Sequence, residues 1–205
     1  MRFLTLICAA LAGLWVSAAL ANPQQKVQTY ASDLGNQALA IIKAQGSDAD
    51  KQKKLEALFV ENVDIPWIGQ FVLGKHWRTI TPEQQKRYLQ HYQNFVVKYY
   101  TANFSNYAGQ TFKVISARED APGEYLLSMA LVHPTDQTKN VMIDYRVRSQ
   151  GQKFRIFDII VEGVSLITTQ RSEFGSVVSR QGLEHLILQL EKRSQQAAKP
   201  AKKAA

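Results

Sequence analysis

The sequence predicts an α+β fold: a curved antiparallel four-stranded meander sheet packed with N- and C-terminal helices. Three observations carry that reading. Apolar residues recur at helical spacing from Val27 to Phe104, the period changes to two after Gly109, and helical spacing returns after Ser165.

From Gln24 to Ala44 the apolar positions Val27, Tyr30, Ala31, Leu34, Ala38, Leu39, Ile41 and Ile42 fall at helical spacing, and Gln45-Gly46 supplies the stop. Ser47-Asp48 opens a second, shorter helix to Val60, with Leu55, Leu58 and Phe59 inward. Asp64 caps a third short helix running to Leu73; Pro66 costs nothing there because a first-turn N–H has no partner anyway. Trp67 to Leu73 is apolar on more than one face, so it is buried or faces something apolar. Thr81-Pro82-Glu83-Gln84 is a strong helix start, with Thr81 as cap and Gln84 placed to reach back to it. The helix that follows runs to about Asn106. Its inner stripe is aromatic: Tyr88, Tyr92, Phe95, Tyr99, Tyr100, Phe104 and Tyr107. Buried tyrosines need a hydroxyl partner, so such a stripe suits a wall where apolar volume meets a wet opening.

Thr111 to Arg118, Glu124 to His133, Asn140 to Arg148 and Lys153 to Glu162 read as strands, bounded by Ala121-Pro122-Gly123, Pro134-Thr135-Asp136 and Gln150-Gly151. The short intervals imply antiparallel neighbours. In the third strand Val141, Ile143, Tyr145 and Val147 share one face, and Asp144, Arg146 and Arg148 the other. The fourth strand has no polar face: Phe154, Ile156 and Ile160 lie on one side, Phe157, Ile159 and Val161 on the other. This patterning leaves two packings open, an apolar concavity under a curved sheet or a fully packed core. Beyond Ser165 one helical segment starts at Thr168 or Thr169 and another near Ser179, with Leu183, Leu186, Ile187 and Leu190 inward.

The ends and the composition bound the function classes. Arg2, an apolar run from Phe3 to Leu20 and the small-x-small triplet Ala19-Leu20-Ala21 form a secretory signal peptide over residues 1–21. Residues 22–194 are then expected as a single domain, and 195–205 as a disordered basic tail. Cys8 would leave with the leader, so no disulfide, thiolate or Cys-based metal site is expected. The formal charge is +8, and loss of Arg2 lowers it by one. In an exported chain that charge suits anionic lipid or an acidic partner, and nucleic acid is not expected. His76, His91, His133 and His185 make no helical metal pair, Gly163-Val164-Ser165 lacks the second glycine of a nucleophile elbow, and no phosphate loop is present. No enzyme, no metal and no cofactor are therefore expected. What remains on these grounds is a carrier with an apolar cavity or a plain interaction or chaperone-like module.

The run Val63-Asp64-Ile65-Pro66-Trp67-Ile68-Gly69-Gln70-Phe71-Val72-Leu73-Gly74-Lys75-His76-Trp77-Arg78, followed by Thr81-Pro82-Glu83-Gln84, resembles the signature of the MlaC, or toluene-tolerance, family of periplasmic phospholipid-binding proteins. A second match lies at Asp158-Ile159-Ile160-Val161-Glu162-Gly163-Val164-Ser165-Leu166 and Gln170-Arg171-Ser172-Glu173-Phe174, continuing to Gly182-Leu183 and Leu186-Ile187. One departure is Ile65-Pro66, where the family tends to carry Phe or a charged residue.

The resemblance implies a monomeric carrier in the periplasm of a Gram-negative bacterium, holding a diacyl phospholipid in an apolar cavity between sheet and helices. Its implied partners are phospholipid, an inner-membrane ABC permease complex with its substrate-binding subunit, and an outer-membrane lipoprotein–porin complex. The implied role is maintenance of outer-membrane lipid asymmetry. On that basis the cavity is expected to draw on Phe71, Val72, Leu73 and Trp77, on Tyr99 and Tyr107, and on Met129, Ile143, Tyr145, Val147, Ile156, Ile160 and Val164. Arg146, Arg148 and Arg171 are the candidates to meet a phosphate at the rim.

Overall fold

A computed structural model describes residues 22–102, 107, 109–151 and 153–197. The leader expected over 1–21 and the end of the expected tail, 198–205, lie outside the described residues. Each N-terminal helix begins where a side chain can satisfy a free backbone N–H. Asn22 caps α1 (Pro23–Lys43) through Gln24 N, and Ser47 caps α2 (Asp48–Asn62) through Asp50 N. Asp64 caps α3 (Ile65–Leu73) through Trp67 N, and a 3-10 turn, Gly74–Arg78, follows it. Thr81 and Gln84 form the full capping box of α4 (Pro82–Thr101). The continuation expected over 103–106 lies outside the described residues.

The fold is α+β, with an antiparallel sheet and flanking helices. Strands β1 (Thr111–Ala121), β2 (Glu124–Val132), β3 (Val141–Gln150) and β4 (Lys153–Val161) form the expected meander in chain order. A fifth strand, β5 (Val164–Ser165), extends it by pairing Val161 with Val164 and Ile160 with Ser165. The hairpin turn is Glu162-Gly163, both at positive φ, 51° and 79°. Two left-handed residues are what a tight two-residue turn requires, and glycine takes one of them without strain.

The main register break decides which side chains face the helices. Arg146 pairs with Asp158, but Val147 pairs with Ile156, so Phe157 is the extra residue of a bulge. Ile156 and Ile159 therefore share the helix-facing side although they are three residues apart, and Ile160 turns to the outer face opposite Asp144. The strict alternation expected for this strand fails at that residue.

Helix α5 (Leu166–Ala197) starts directly after β5, and its helix runs to Ala197, into the segment expected as tail. The break expected near Ser179 falls at Gly182, whose φ of 82° and ψ of 167° leave the helical region. Leu183, Leu186, Ile187 and Leu190 of its second half are buried, as their spacing predicts. They join Tyr88, Tyr92, Val72, Leu73 and Phe174 in one core where α3, α4 and α5 meet. Helices α1 and α2 form a second layer: α1 packs on β1 and β2, and α2 packs on α4 and β4.

Candidate functional site

Between that second layer and the sheet lies a cavity of about 250 Å³. Helix α1 contributes Tyr30, Ala31, Leu34, Gly35 and Ala38; α2 and the residue after it contribute Leu55, Leu58, Phe59, Asn62 and Val63. Tyr100 comes from α4, and Phe112, Leu127, Met129, Tyr145, Ile156 and Ile159 from β1 to β4. Among the described residues the lining has one amide, Asn62, and three tyrosine hydroxyls; every other side chain is apolar or absent. Register brings the floor together: Leu127 pairs with Tyr145, and Tyr145 with Ile159. Small residues on α1 leave the space open. Ala31, Gly35 and Ala38 present little more than backbone, and a Cβ built on Gly35 would lie 3.5 Å from Phe112.

The cavity has a well-bonded polar end toward α5. A smaller void of about 40 Å³ shares Phe59, Val63, Tyr100, Ile156 and Ile159 with it and adds Asp158 and Gln170. The Tyr92 hydroxyl donates to Gln170 Oε1 at 2.8 Å, and Gln170 Nε2 donates to the Tyr100 oxygen at 3.4 Å. Asp158 accepts from the N–H of Ile159 and of Ile167 and from the Ser165 hydroxyl, which ties β4 to the start of α5. Burial pushes the phenols up: Tyr100 and Tyr145 each rise to about 12, with Tyr99 adding to the shift at Tyr100.

At the other end the Tyr30 hydroxyl is buried without a hydrogen-bond partner among the described residues. Its ring packs against Phe154 at 5.4 Å, and burial, countered by Arg155 and reinforced by Glu61, holds its ionisation well above the usual range.

The residues singled out from sequence divide sharply. Met129, Tyr145 and Ile156 line the cavity. Val147 and Ile143 are on the same face of β3, but Val147 is fully buried in the core and Ile143 lies beyond the lining, paired with Met129 and Val161. Ile160 is on the outer face because of the bulge, and Val164 is exposed on the edge strand. Tyr99 is half exposed; its neighbour Tyr100, about 100° round the helix, faces the cavity and stacks on Phe59 at 6.0 Å. Tyr107 is half-buried and outside the lining.

Phe71, Val72, Leu73 and Trp77 are not on the cavity wall either. Helix α3 packs on α5, α4 and β4, which places it across the β4 edge from α1, with Val72 and Leu73 buried in the core. None of the three arginines reaches the cavity mouth. Arg148 is clamped between the rings of Trp67 and Phe157, 4.0 and 4.2 Å from their centroids, and faces Asp64 at 3.8 Å and Glu124 at 3.9 Å. Arg171 donates to the Phe71 carbonyl at 2.9 Å and lies over its ring, and Arg146 is exposed on the outer face opposite Asp158.

The cavity residues missed from sequence are chiefly those of α1 and α2. Their helical stripes were visible, and the small residues Ala31, Gly35 and Ala38 on one of them were the available signal of unfilled space. Among the described residues no cluster of His, Cys, Asp and Glu could hold a metal ion, and no helix is long and apolar enough to cross a membrane.

The MlaC protein family model matches residues 32–192. The chain belongs to the MlaC family. That match covers the α3–α5 core and all of the cavity lining except Tyr30 and Ala31. An intermembrane phospholipid transport system binding protein, MlaC of Haemophilus influenzae, is 18% identical over 136 residues, covering 65% of this chain. The chain spans 64% of that relative's length. A solved structure of a phospholipid-binding protein from Ralstonia solanacearum, in complex with a phospholipid, superposes with a TM-score of 0.71 at 24% identity. It covers 84% of this chain and 98% of its own, and it shows that the fold is shared.

Proposed function

We propose that this chain is a phospholipid carrier of the Gram-negative periplasm that holds acyl chain in the cavity under α1 and α2. The observation that carries this reading is the cavity itself: an apolar void of about 250 Å³ between a sheet and two helices, with almost no polar lining. Apolar voids of this kind stay dry and are costly to leave empty, so they accept hydrocarbon readily. The names of the Haemophilus relative and of the Ralstonia protein support the same ligand class.

A diacyl lipid exceeds the space. Ligand pockets run to about 300–1,000 Å³ even for drug-sized molecules, so loading parts the walls. Helix α1 is the wall best suited to move, because only its inner stripe, Val27, Ala31 and Ala38, is buried. A carrier of this kind draws its affinity from removing alkyl groups from water, about 0.8 kcal/mol per CH2, and exchanges them for an equally apolar bilayer at little net cost.

The expected leader at 1–21 supports export, and the periplasm is the compartment we assign. The lipid would pass between an inner-membrane ABC permease complex with its substrate-binding subunit and an outer-membrane lipoprotein–porin complex, maintaining outer-membrane asymmetry. A vesicle assay tests the carrier activity: delipidated protein is added to donor vesicles containing a self-quenched fluorescent phospholipid and to unlabelled acceptors. Transfer should rise in proportion to protein concentration. Transfer no faster than with an unrelated basic protein would leave an interaction module as the better account.

A further inference from the structure

We infer that the polar head of the bound lipid leaves the cavity past Tyr30 and lies in the groove between α1, the end of α2 and the start of β4. This deepens the carrier reading and rests on it. The groove, of about 660 Å³, is lined by Gln25, Lys26, Thr29, Asp33, Gln37 and Glu61, with Lys153 and Phe154 from β4. Tyr30, Leu34 and Asn62 belong to the walls of both groove and cavity. A molecule with its chains in the cavity therefore meets a sharp change from apolar to charged lining on crossing these three residues.

The two ends of the cavity differ in one decisive respect. Toward α5 the polar groups bond each other: Tyr92 with Gln170, Gln170 with Tyr100, Asp158 with Ser165 and two backbone N–H groups. Toward the groove the Tyr30 hydroxyl is buried and has no partner among the described residues. A buried hydroxyl left unpaired is costly in an empty protein, and an anionic phosphate oxygen arriving at the groove would satisfy it with a charge-assisted bond. Lys26 and Lys153 supply positive charge on the same walls, while Asp33 and Glu61 supply acceptors, so a phosphodiester bearing an ammonium finds partners of both signs. The other end of the sheet lies far from this lining. Val141 and Val164 are exposed there, and Val161, at that end of β4, is seven residues from Phe154, about 23 Å along the strand.

Two measurements test the placement. In a Cys8→Ser background, Gln37→Cys in the groove and Val164→Cys at the far end are labelled with a fluorophore. Each protein is then loaded with a phospholipid whose head carries a nitroxide, loading being verified by native mass. The label at position 37 should be quenched and the label at 164 should not. Quenching confined to 164, equal at both or absent from both in loaded protein would overturn the inference and leave the carrier reading intact. Failure of both proteins to take up lipid would instead sink the carrier reading, and the head placement with it.

The second variant is Tyr30→Phe, which keeps the ring and removes the hydroxyl. It should bind phospholipid about 10-fold more weakly than the natural chain, the loss of one charge-assisted bond. Diacylglycerol with the same chains, which lacks the phosphate, should bind both proteins alike, and the empty variant should melt no lower than the natural protein. Unchanged phospholipid affinity would remove Tyr30 from the head site.

Discussion

Ala38→Phe tests whether the space under α1 is a void that belongs to a ligand or a packing defect. Ala38 is 9% exposed on the inner stripe of α1 and lines the cavity. At about 24 cal/mol per Å³ a sealed void of 250 Å³ costs about 6 kcal/mol, and this cavity, open at one end, costs less. A phenyl ring that enters the space without strain should recover about 2 kcal/mol of this by burying its own surface. For a chain of this size that raises the melting temperature of delipidated protein by about 4–8 °C. The same ring occupies room that acyl chain would need, so co-purifying lipid should fall and the gain in melting temperature on adding lipid should shrink. Differential scanning calorimetry of delipidated and lipid-loaded forms gives both numbers. A packed interior predicts the opposite sign, because overpacking costs about 1–3 kcal/mol. A delipidated variant that melts lower than the natural protein, with lipid content unchanged, would mean that the space is already packed and holds no acyl chain.

Arg148→Met should lower stability by about 2 kcal/mol in urea unfolding, since the guanidinium is held between two rings and faces two carboxylates. It should leave phospholipid content unchanged; a selective loss of lipid at unchanged stability would return Arg148 to the head site. Alkaline pH should unfold the protein steeply. Tyr100 and Tyr145 ionise at about 12 in the folded chain against 10 in an unfolded one. Their contribution is complete below pH 10 and is lost as pH rises from 10 through 12. Tyrosinate absorbance from the buried phenols should therefore appear together with loss of circular dichroism. Titration of all eight tyrosines near pH 10 in a chain that stays folded would contradict this.

Much of the fold is legible in the residues because local chemistry sets it. Asp64, Ser47 and the Thr81–Gln84 box start helices by satisfying free N–H groups, and these are short-range facts. The cavity is less legible because it is made by tertiary geometry. One bulge residue, Phe157, reverses the parity of β4, exchanging Ile160 for Ile159. One helical step exchanges Tyr99 for Tyr100. Helix α3 was an attractive wall because it is apolar all round, but that composition reflects burial against α4, α5 and β4. Helix α1, which does line the cavity, carries small residues whose significance lies in what they leave unfilled. Strand alternation likewise puts Arg146 and Arg148 on the face of β3 opposite Tyr145, away from the cavity.

Whether hydrocarbon from a phospholipid fills the space between α1, α2 and the sheet is decided by native mass spectrometry of the protein purified without detergent. A carrier should show an excess mass equal to a diacyl phospholipid, lost on organic extraction and regained on incubation with vesicles. Protein that carries no excess mass in repeated preparations, and gains none from vesicles, would contradict the carrier reading.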